Sequence, residues 1–284
     1  MIFNIGLPND KQKLFFKDRH RYVAFGGARG GGKSWAVRSK ATLLGLNHSG
    51  IRILIVRQTF PELEENHIRY FRDMPKSIGR YNESKKVFKF CNSSTIKFLY
   101  CASDKDLTHF QGAEYDIIFV DEATNLSEYQ LKVISACNRG TGDFPRRTYY
   151  TCNPSGQGVG YIKRLFIDRR FEDNEDPEDY SFIQSLVTDN KVLMEKDPEY
   201  IKRLEALPSK LRAGWLHGDW NSLEGMFFEE FVDSLDNYQT RRWTHVIEPF
   251  EIPIGWTIYR SYDFGYAKPF ALSWWAIDYD GRLY

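Results

Sequence analysis

Short apolar runs rich in β-branched and aromatic residues recur along the chain, separated by segments with helical periodicity. The runs are "YVAF" at Tyr22, "IRILIV" at Ile51, "YDIIFV" at Tyr115, "TYYT" at Thr148 and "SFIQSLV" at Ser181. Apolar runs of this length are typical of strands that are buried on both faces. Because strands alternate with helices, the pattern predicts an α/β fold with a mainly parallel central sheet flanked by helices.

Two further segments have the pattern of β-hairpins. From Lys85 to Tyr100, alternating runs lie on either side of the turn "CNSS", and beyond Pro253 two strand-like runs surround a Gly/Lys/Pro turn. A hairpin is not a stable domain by itself. We therefore expect residues 1–221 to form one domain, 222–250 a connecting segment, and 251–284 the N-terminal fragment of a second domain whose remainder is absent.

The stretch "GGARGGGKS", which ends at Ser34, has the spacing of a phosphate-binding loop, G-x-x-x-x-G-K-[ST]. In such a loop the lysine, here Lys33, reaches the β- and γ-phosphates and the hydroxyl of Ser34 holds Mg²⁺. A strand pattern before the loop and a helix pattern after it favour this interpretation over a chance glycine-rich turn. The glycines that let backbone amides converge on a phosphate are Gly27, Gly30, Gly31 and Gly32.

An acidic pair follows the strand pattern "IIFV". Ligands of open α/β sheets lie at the carboxyl ends of the strands. Asp121 is therefore expected to bind Mg²⁺ through water, and Glu122 to orient and deprotonate the attacking water. The alternative is that the pair only caps the next helix, since acidic residues favour helix N-termini.

Two further polar segments belong to the same prediction. In "YYTCNPSG", Thr151, Asn153 and Pro154 follow a strand, and either sense the γ-phosphate or form a simple Asn-Pro turn. In "LPNDKQKLFF", the amide of Gln12 can both donate to and accept from the adenine edge, which would select ATP. The alternative for Gln12 is a surface position on a capped first helix.

Composition limits the function class. The 284 residues carry a formal net charge of +1, which argues against a strongly basic nucleic-acid coat and leaves any DNA contact to local patches. The 4 cysteines have neither zinc-site nor disulfide spacing, and no apolar run approaches the length of a membrane span. We expect a cytoplasmic protein without a membrane partner.

Local basic patches offer candidate DNA contacts. Arg57 follows the second strand pattern, and lysines alternate along the first hairpin at Lys85, Lys86, Lys89 and Lys97. The lysines either contact phosphates without sequence preference or keep a solvated sheet edge from aggregating.

Together these residues resemble the large terminase subunit of tailed bacteriophages. The resemblance covers nearly the whole chain and depends on "LPNDKQK", "FGGARGGGKS", "ILIVRQT", "FQGAEYDIIFVDEA", "TCNPSG" and "LRAGWLHGDW" in this order, with "YDFG" beyond them. It implies a P-loop ATPase of the additional-strand, conserved-glutamate type, which uses ATP and Mg²⁺ in the host cytoplasm. It also implies a homo-oligomeric ring on the procapsid, with double-stranded DNA, the portal protein and the small terminase subunit as partners.

The resemblance assigns residue roles by position. Lys33 and Ser34 match the Walker A motif, Asp121 and Glu122 match Walker B, Thr151 to Pro154 match the coupling motif, and Gln12 matches the adenine-reading position. Arg57 lies at the carboxyl edge of the sheet, where family members have a further motif linked to coupling.

Ring ATPases of this kind usually complete the site with an arginine from the neighbouring subunit. Arg139 is the best-placed candidate, with Arg146 and Arg147 behind it, and the alternative for each is a solvated basic residue. Arg29, inside the phosphate loop, has three open interpretations. It acts in cis on the γ-phosphate, it pairs with an acidic residue to stiffen the loop, or it points to solvent.

The resemblance also implies an RNase H-like nuclease domain with divalent metals. Asp263 in "SYDFG" matches its first acidic metal ligand, and the later ligands would lie beyond Tyr284. Two-metal cleavage needs several carboxylates, so Mg²⁺ or Mn²⁺ is expected only in the complete nuclease. We expect this chain to hydrolyse ATP, to translocate DNA as part of a motor, and not to cut DNA. The alternatives are a helicase-like P-loop ATPase and an ATP-gated assembly or recruitment protein.

Overall fold

The computed structural model describes residues 5–221, 237–240, 244–264 and 270–284. The chain divides into two compact units, Met1–Gly225 and Met226–Tyr284. Much of the expected connecting segment 222–250, and the turn expected at 265–269, lie outside the described residues. The assignment of the two units to an ATPase and a nuclease fragment stays a prediction. Within the described ranges, no helix is both long and apolar enough to cross a membrane.

The first unit is built on an eight-stranded sheet of order β3-β4-β5-β2-β6-β7-β1-β8. From β5 to β8 all neighbouring strands are parallel, whereas β3, β4 and β5 pair antiparallel at one edge. The strands are β1 (Tyr22–Gly27), β2 (Arg52–Arg57), β3 (Gly79–Asn82), β4 (Val87–Phe90), β5 (Thr95–Tyr100), β6 (Ile117–Val120), β7 (Arg147–Cys152) and β8 (Tyr180–Ser185).

The apolar runs therefore predicted the central strands correctly, and the first hairpin is confirmed as β4 and β5. The short edge strand β3 was missed because its sequence, "GRYN", has no apolar run. Gly79 lets β3 approach its partner closely, since a Cβ there would lie 2.5 Å from the backbone oxygen of Lys89.

Helices cover both faces of the sheet. Alternate residues of one strand enter different cores: Ile53 and Ile55 of β2 belong to one core and Leu54 and Val56 to the other. Burial on both faces explains why the strands read as continuous apolar runs. The α-helices of the described residues are α1 (Asp10–Lys17), α2 (Lys33–Asn47), α3 (Phe60–Leu63), α4 (Arg69–Arg72), α5 (Glu128–Ser135), α6 (Val159–Ile162), α7 (Lys191–Lys196), α8 (Glu199–Glu205) and α9 (Ser209–His217).

The strand order brings the predicted motifs together. Because β2, β6, β7 and β1 are neighbouring parallel strands, their carboxyl ends lie side by side at one edge. The phosphate loop follows β1, the acidic pair follows β6 and Asn153 follows β7. Segments far apart in sequence thus meet in one crevice.

The lysines of the first hairpin do not all share one face. Lys89 and Lys97 do, since the antiparallel register pairs Lys89 with Thr95 and Val87 with Lys97. Lys86 lies before β4, with its Nζ 4.8 Å from the ring centroid of Phe60. DNA contact by Lys85 and these lysines stays a prediction.

The second unit contains the second predicted hairpin. Its strands, β9 (Thr257–Asp263) and β10 (Ala271–Ile277), pair antiparallel, and Asp263 lies opposite Ala271 at the end of the ladder.

Candidate active site

The phosphate loop connects β1 directly to α2, and its backbone needs glycine. Gly27, Gly30 and Gly32 have φ of 127°, 80° and 78°, a region that side-chain-bearing residues rarely adopt. A Cβ on Gly31 would lie 2.3 Å from the Oγ of Ser185 on β8. The loop is therefore held in the compact form in which backbone amides converge on an anion.

Lys33 begins α2 and its side chain is buried. Its Nζ donates to Asn153 Oδ1 at 2.8 Å and also to the backbone oxygen of Ala28. Burial lowers the pKa of Lys33, because the charged amine has left water without gaining a fully compensating partner. An anionic phosphate oxygen beside Nζ would supply the missing negative charge.

Asp121 is fully buried and accepts hydrogen bonds on both carboxylate oxygens. Oδ1 accepts from Thr151 Oγ1 at 2.5 Å. Oδ2 accepts from Ser34 Oγ at 3.2 Å, from Arg57 Nη1 at 3.0 Å and from His67 Nε2 at 2.9 Å. Burial alone would raise the pKa of Asp121, but His67 and Arg57 outweigh it and hold that pKa below the usual range. The carboxylate is therefore ionised.

His67 is fully buried beside Asp121. Because the ionised carboxylate of Asp121 only accepts, Nε2 of His67 carries the proton. Nδ1 is buried and has no hydrogen-bond partner among the residues that the structure describes, and burial lowers the pKa of the ring.

Glu122 projects from a strained backbone position at the same edge. Its φ of 53° lies in the left-handed region, which costs on the order of 1 kcal/mol for a residue with a side chain. Its backbone nitrogen donates to Thr151 Oγ1 at 2.9 Å. Its Oε2 accepts from Arg57 Nη2 at 2.9 Å and from Asn125 Nδ2 at 3.2 Å. The side chain is thus fixed in direction but stays partly open to solvent.

Two oxygen-bearing side chains at this edge of the sheet are suitable ligands for Mg²⁺. The hydroxyl of Ser34 and the carboxylate of Asp121 are hard oxygen ligands that lie 3.2 Å apart. Among the described residues no cluster of three or more His, Cys, Asp or Glu side chains forms a cation site. Mg²⁺ is usually held by one or two protein oxygens together with substrate phosphates, so a cage made only of protein is not required.

Gln12 is 5% exposed and lies against the phosphate loop. Its Nε2 donates to the Gly32 backbone oxygen at 3.1 Å, and its Oε1 accepts from the backbone nitrogen of Asn9, the residue that caps α1, at 2.9 Å. The helix α1 is capped, as expected. The alternative that placed Gln12 on the surface is wrong, because its side chain is buried. Gln12 borders a cavity of about 450 Å³ that Trp35 and Leu193 also line.

A match to a protein-family model shows the family of this chain. The model described as "Terminase large subunit, T4likevirus-type, N-terminal" matches residues 24–231. This chain belongs to the terminase large subunit family. Among curated proteins, no sequence matches it.

Solved terminases show the same fold. The large terminase of a thermophilic bacteriophage superposes with a TM-score of 0.61 at 18% identity, over 97% of this chain and 66% of that one. The HK97 bacteriophage large terminase gives 0.57 at 15% identity, over 98% and 62%. The ATPase domain of the Thermus phage P74-26 large terminase gives 0.53 at 14% identity, over 75% and 94%. The chain thus has the P-loop ATPase fold of terminases and spans less than two thirds of the first two of these proteins.

Arg29 and Arg139, the two candidates for a catalytic arginine, lie in different parts of the fold. Arg29 has its Cζ 3.3 Å from the ring centroid of Trp215, and no ion pair to an acidic side chain occurs within the described part of the chain. Arg139 is exposed and its Nε contacts the Ala113 backbone oxygen at 3.4 Å, near the amino end of β6. That end is opposite the one where Asp121 and Glu122 lie, so Arg139 does not reach the site of its own chain.

The roles of the other arginines and of Asp263 stay predictions. Arg146 pairs with Asp116 at 3.1 Å and Arg147 donates to the Arg19 backbone oxygen at 3.0 Å, both at the same amino edge as Arg139. Asp263 is exposed at the end of β9.

Two contacts within the site were not predicted from sequence. Arg57 was a candidate DNA contact placed at the carboxyl edge of the sheet; that placement is correct, but its side chain is 5% exposed and bridges Asp121 and Glu122, which argues against DNA contact. Its position after β2 indicated the edge but not these partners. His67 was missed entirely, since a lone histidine in a helical segment carries no signal of a contact with a carboxylate elsewhere in the sequence.

Proposed function

We propose that this terminase family member is the ATP-hydrolysing motor subunit that moves double-stranded viral DNA into the procapsid. The observation that carries the proposal is the convergence of Lys33, Ser34, Asp121, Glu122 and Asn153 at one edge of the sheet. The large terminase of the thermophilic bacteriophage, which shares this fold, has been solved in complex with ADP.

The chain binds the nucleotide with the phosphate loop and the adjacent cavity. Backbone amides of the loop and Lys33 Nζ bind the phosphates, and the base enters the cavity between Gln12 and Trp35. The side-chain amide of Gln12 already makes hydrogen bonds to the backbones of Asn9 and Gly32. Gln12 therefore binds the adenine edge only if it gives up one of these bonds. Ser34 and Asp121 would hold Mg²⁺, which would supply positive charge to neutralise the phosphates.

Glu122 acts as the general base for hydrolysis. It orients a water for attack on the γ-phosphate and accepts its proton. Arg57 and Asn125 position its carboxylate by binding Oε2, and Thr151 connects the Glu122 backbone to Asp121 through one hydroxyl.

Asn153 couples the presence of the nucleotide to the conformation of the carboxyl end of β7. With phosphate bound, Lys33 exchanges its bond to Asn153 for a phosphate oxygen, and loss of phosphate restores the 2.8 Å contact. A polar side chain at a strand end that changes partner in this way is a suitable two-state element for coupling.

The motor acts as a ring of identical subunits on the portal in the host cytoplasm, with the small terminase subunit as a further partner. Arg139 enters the neighbouring subunit's site, and Lys89 and Lys97, which share one face of the first hairpin, contact DNA phosphates. The second unit, with Asp263, belongs to an RNase H-like nuclease domain.

Steady-state ATP turnover, measured alone, with double-stranded DNA, and with DNA plus portal-bearing procapsids, tests this function. A packaging motor shows turnover that DNA and procapsids stimulate. Stimulation by DNA alone, with no further effect of procapsids, would favour the helicase-like alternative. ATP binding without turnover in any mixture would favour the ATP-gated assembly protein.

A further inference from the structure

The side chain of His67 makes a hydrogen bond to the carboxylate that is expected to hold Mg²⁺. It is fully buried, and its Nε2 donates to Asp121 Oδ2 at 2.9 Å. Its Nδ1 has no partner among the residues that the structure describes. A buried polar atom without a partner costs free energy, which a leucine at this position would avoid. The histidine is therefore better explained by its bond to Asp121 than by packing.

A widened helical turn places His67 at this carboxylate. Residues Glu64–Ile68 form a π-helical turn that connects α3 to α4. Such turns are rare and frequently lie at functional sites. The turn is anchored on its inner side, because Leu63, Ile68 and Phe71 are buried in the core that β2 shares. The position of His67 is thus fixed by the packing of its neighbours.

The same turn is tied to the helix that carries Ser34. Arg38 lies one turn after Ser34 on α2, and its Nη1 donates to the backbone oxygen of Asn66. The Cζ of Arg38 also lies 3.8 Å from the centroid of the Tyr70 ring. Arg38 therefore connects α2 to the segment on both sides of His67. The two side chains that approach the carboxylate, from α2 and from the π-helical turn, belong to elements that are held together.

Oδ2 of Asp121 has more donors than it can accept from at once. Ser34 Oγ, Arg57 Nη1 and His67 Nε2 lie 3.2, 3.0 and 2.9 Å from it. A carboxylate oxygen offers about two lone pairs, so the three donors compete. The hydroxyl of Ser34 has the longest of the three bonds and is the group that we expect to leave Oδ2 for Mg²⁺.

The two donors that remain differ in the partners within their reach. Arg57 has other carboxylates nearby, since its Nη2 lies 2.9 Å from Glu122 Oε2 and its Nε lies 3.6 Å from Glu62 Oε2. It can therefore shift between partners. Among the described residues, Asp121 supplies the acceptor for the Nε2 of His67. His67 is thus the donor that can stay on Asp121 whether or not the metal is bound.

We propose that His67 is a positioning residue for Mg²⁺ binding, and that its Nε2–H holds the carboxylate of Asp121 in one orientation both with and without nucleotide. His67 acts through Asp121 and does not touch the nucleotide. The inference rests on the proposed ATPase function, because it assigns a role at the Mg²⁺ site of that function. Outer hydrogen bonds to metal ligands typically change metal affinity by about 10- to 100-fold.

Calorimetry of a non-hydrolysable ATP analogue, in Mg²⁺ and in EDTA, tests the proposal. The ratio of the two dissociation constants measures how much Mg²⁺ strengthens binding. His67→Leu removes the donor and should lower this ratio by about tenfold, while the Kd in EDTA stays unchanged. His67→Gln, whose amide can donate from a similar position, should restore most of the ratio. His109→Leu makes the same change at an exposed position and should match wild type.

The outcomes separate a positioning role from a structural one. Equal weakening by His67→Leu in Mg²⁺ and in EDTA is the mark of a structural role and overturns the inference. An unchanged ratio, or a His67→Gln variant that behaves like His67→Leu, also overturns it. A wild-type chain that binds the analogue equally well in Mg²⁺ and in EDTA contradicts the inference and leaves nucleotide binding standing. If the wild-type chain does not bind the analogue at all, the proposed function fails and the inference fails with it.

Nitrogen-15 NMR of the histidine-labelled chain keeps the proposal testable if His67→Leu does not fold. The chain has 6 histidines, and His67→Gln identifies the Nε2–H signal of His67. This signal should be protected from exchange with water in the nucleotide-free chain and should stay protected with Mg²⁺ and the ATP analogue. Loss of protection under conditions in which calorimetry shows that the analogue is bound means that the bond to Asp121 breaks, which contradicts the proposal.

Discussion

Asn153 accepts a hydrogen bond of 2.8 Å from the Nζ of Lys33, which joins the end of β7 to the first residue of α2 across 120 positions of sequence. The bond occupies the amine that we expect to bind phosphate. It therefore makes nucleotide binding and the conformation of the β7 end mutually dependent.

Asn153→Asp should weaken ATP binding. A carboxylate at this position would pair with Lys33 and repel the phosphates, so we expect the Kd for ATP to rise by about tenfold, the effect of one charged hydrogen bond. Calorimetry with Mg²⁺ and a non-hydrolysable analogue measures it. Asn174→Asp adds the same charge at an exposed position, and an equal loss in that control would contradict the assignment.

Arg57→Gln should lower turnover more than nucleotide binding. The change removes the donor that positions Glu122 and leaves the buried carboxylate of Asp121 with less compensation. We expect turnover to fall by about 10- to 100-fold and the free energy of unfolding to fall by about 3 kcal/mol. Turnover assays and urea unfolding measure the two effects. Arg80→Gln, at an exposed position of β3, should change neither.

Lys40 should make stability depend on pH. Its Nζ is buried against the Phe15 backbone oxygen and lies 4.0 Å from the Tyr149 ring centroid, and burial lowers the pKa of the amine to about 7. Between this value and the unfolded pKa of 10.5 the unfolded chain binds more protons, so the free energy of unfolding rises with pH across this window. The rise due to Lys40 amounts to at most about 5 kcal/mol.

Urea unfolding at pH 7, 8.5 and 10 isolates this contribution by comparison with Lys40→Met. The stability of Lys40→Met relative to wild type should be greatest at pH 7 and should decrease towards pH 10. Lys17→Met, on the exposed end of α1, is the control. A difference between Lys40→Met and wild type that is constant with pH would show that Lys40 keeps its charge in the folded chain.

Arg139 should act only between subunits. Arg139→Ala and Glu122→Gln should each abolish turnover in assembled rings, while a mixture of the two variants should recover part of it. Recovery occurs because a Glu122→Gln subunit can supply Arg139 to a neighbour with an intact Glu122. Mixing Lys33→Ala with Glu122→Gln, which both damage their own site, should give no recovery. Absence of recovery in the first mixture would remove Arg139 from the site.

The sequence predicted the parts of the site that depend on strand order. Lys33, Ser34, Asp121 and Glu122 were placed together because carboxyl ends of neighbouring parallel strands share an edge, and that geometry is set by the apolar runs. Arg57 was placed correctly at this edge as a candidate DNA contact, but its position after β2 does not reveal its partners, Asp121 and Glu122. The stack of Arg29 on Trp215 depends on how α9 packs against the loop, which no local pattern encodes.

ATP turnover by Glu122→Gln tests the central claim most directly. Under the proposed mechanism this variant binds Mg²⁺ and ATP with wild-type affinity, but hydrolyses it at least about 100-fold more slowly, because the general base is lost. Glu128→Gln, the same change at an exposed position on α5, should keep wild-type turnover. Wild-type turnover by Glu122→Gln, with nucleotide bound normally, would contradict the assignment of this crevice as the site of hydrolysis.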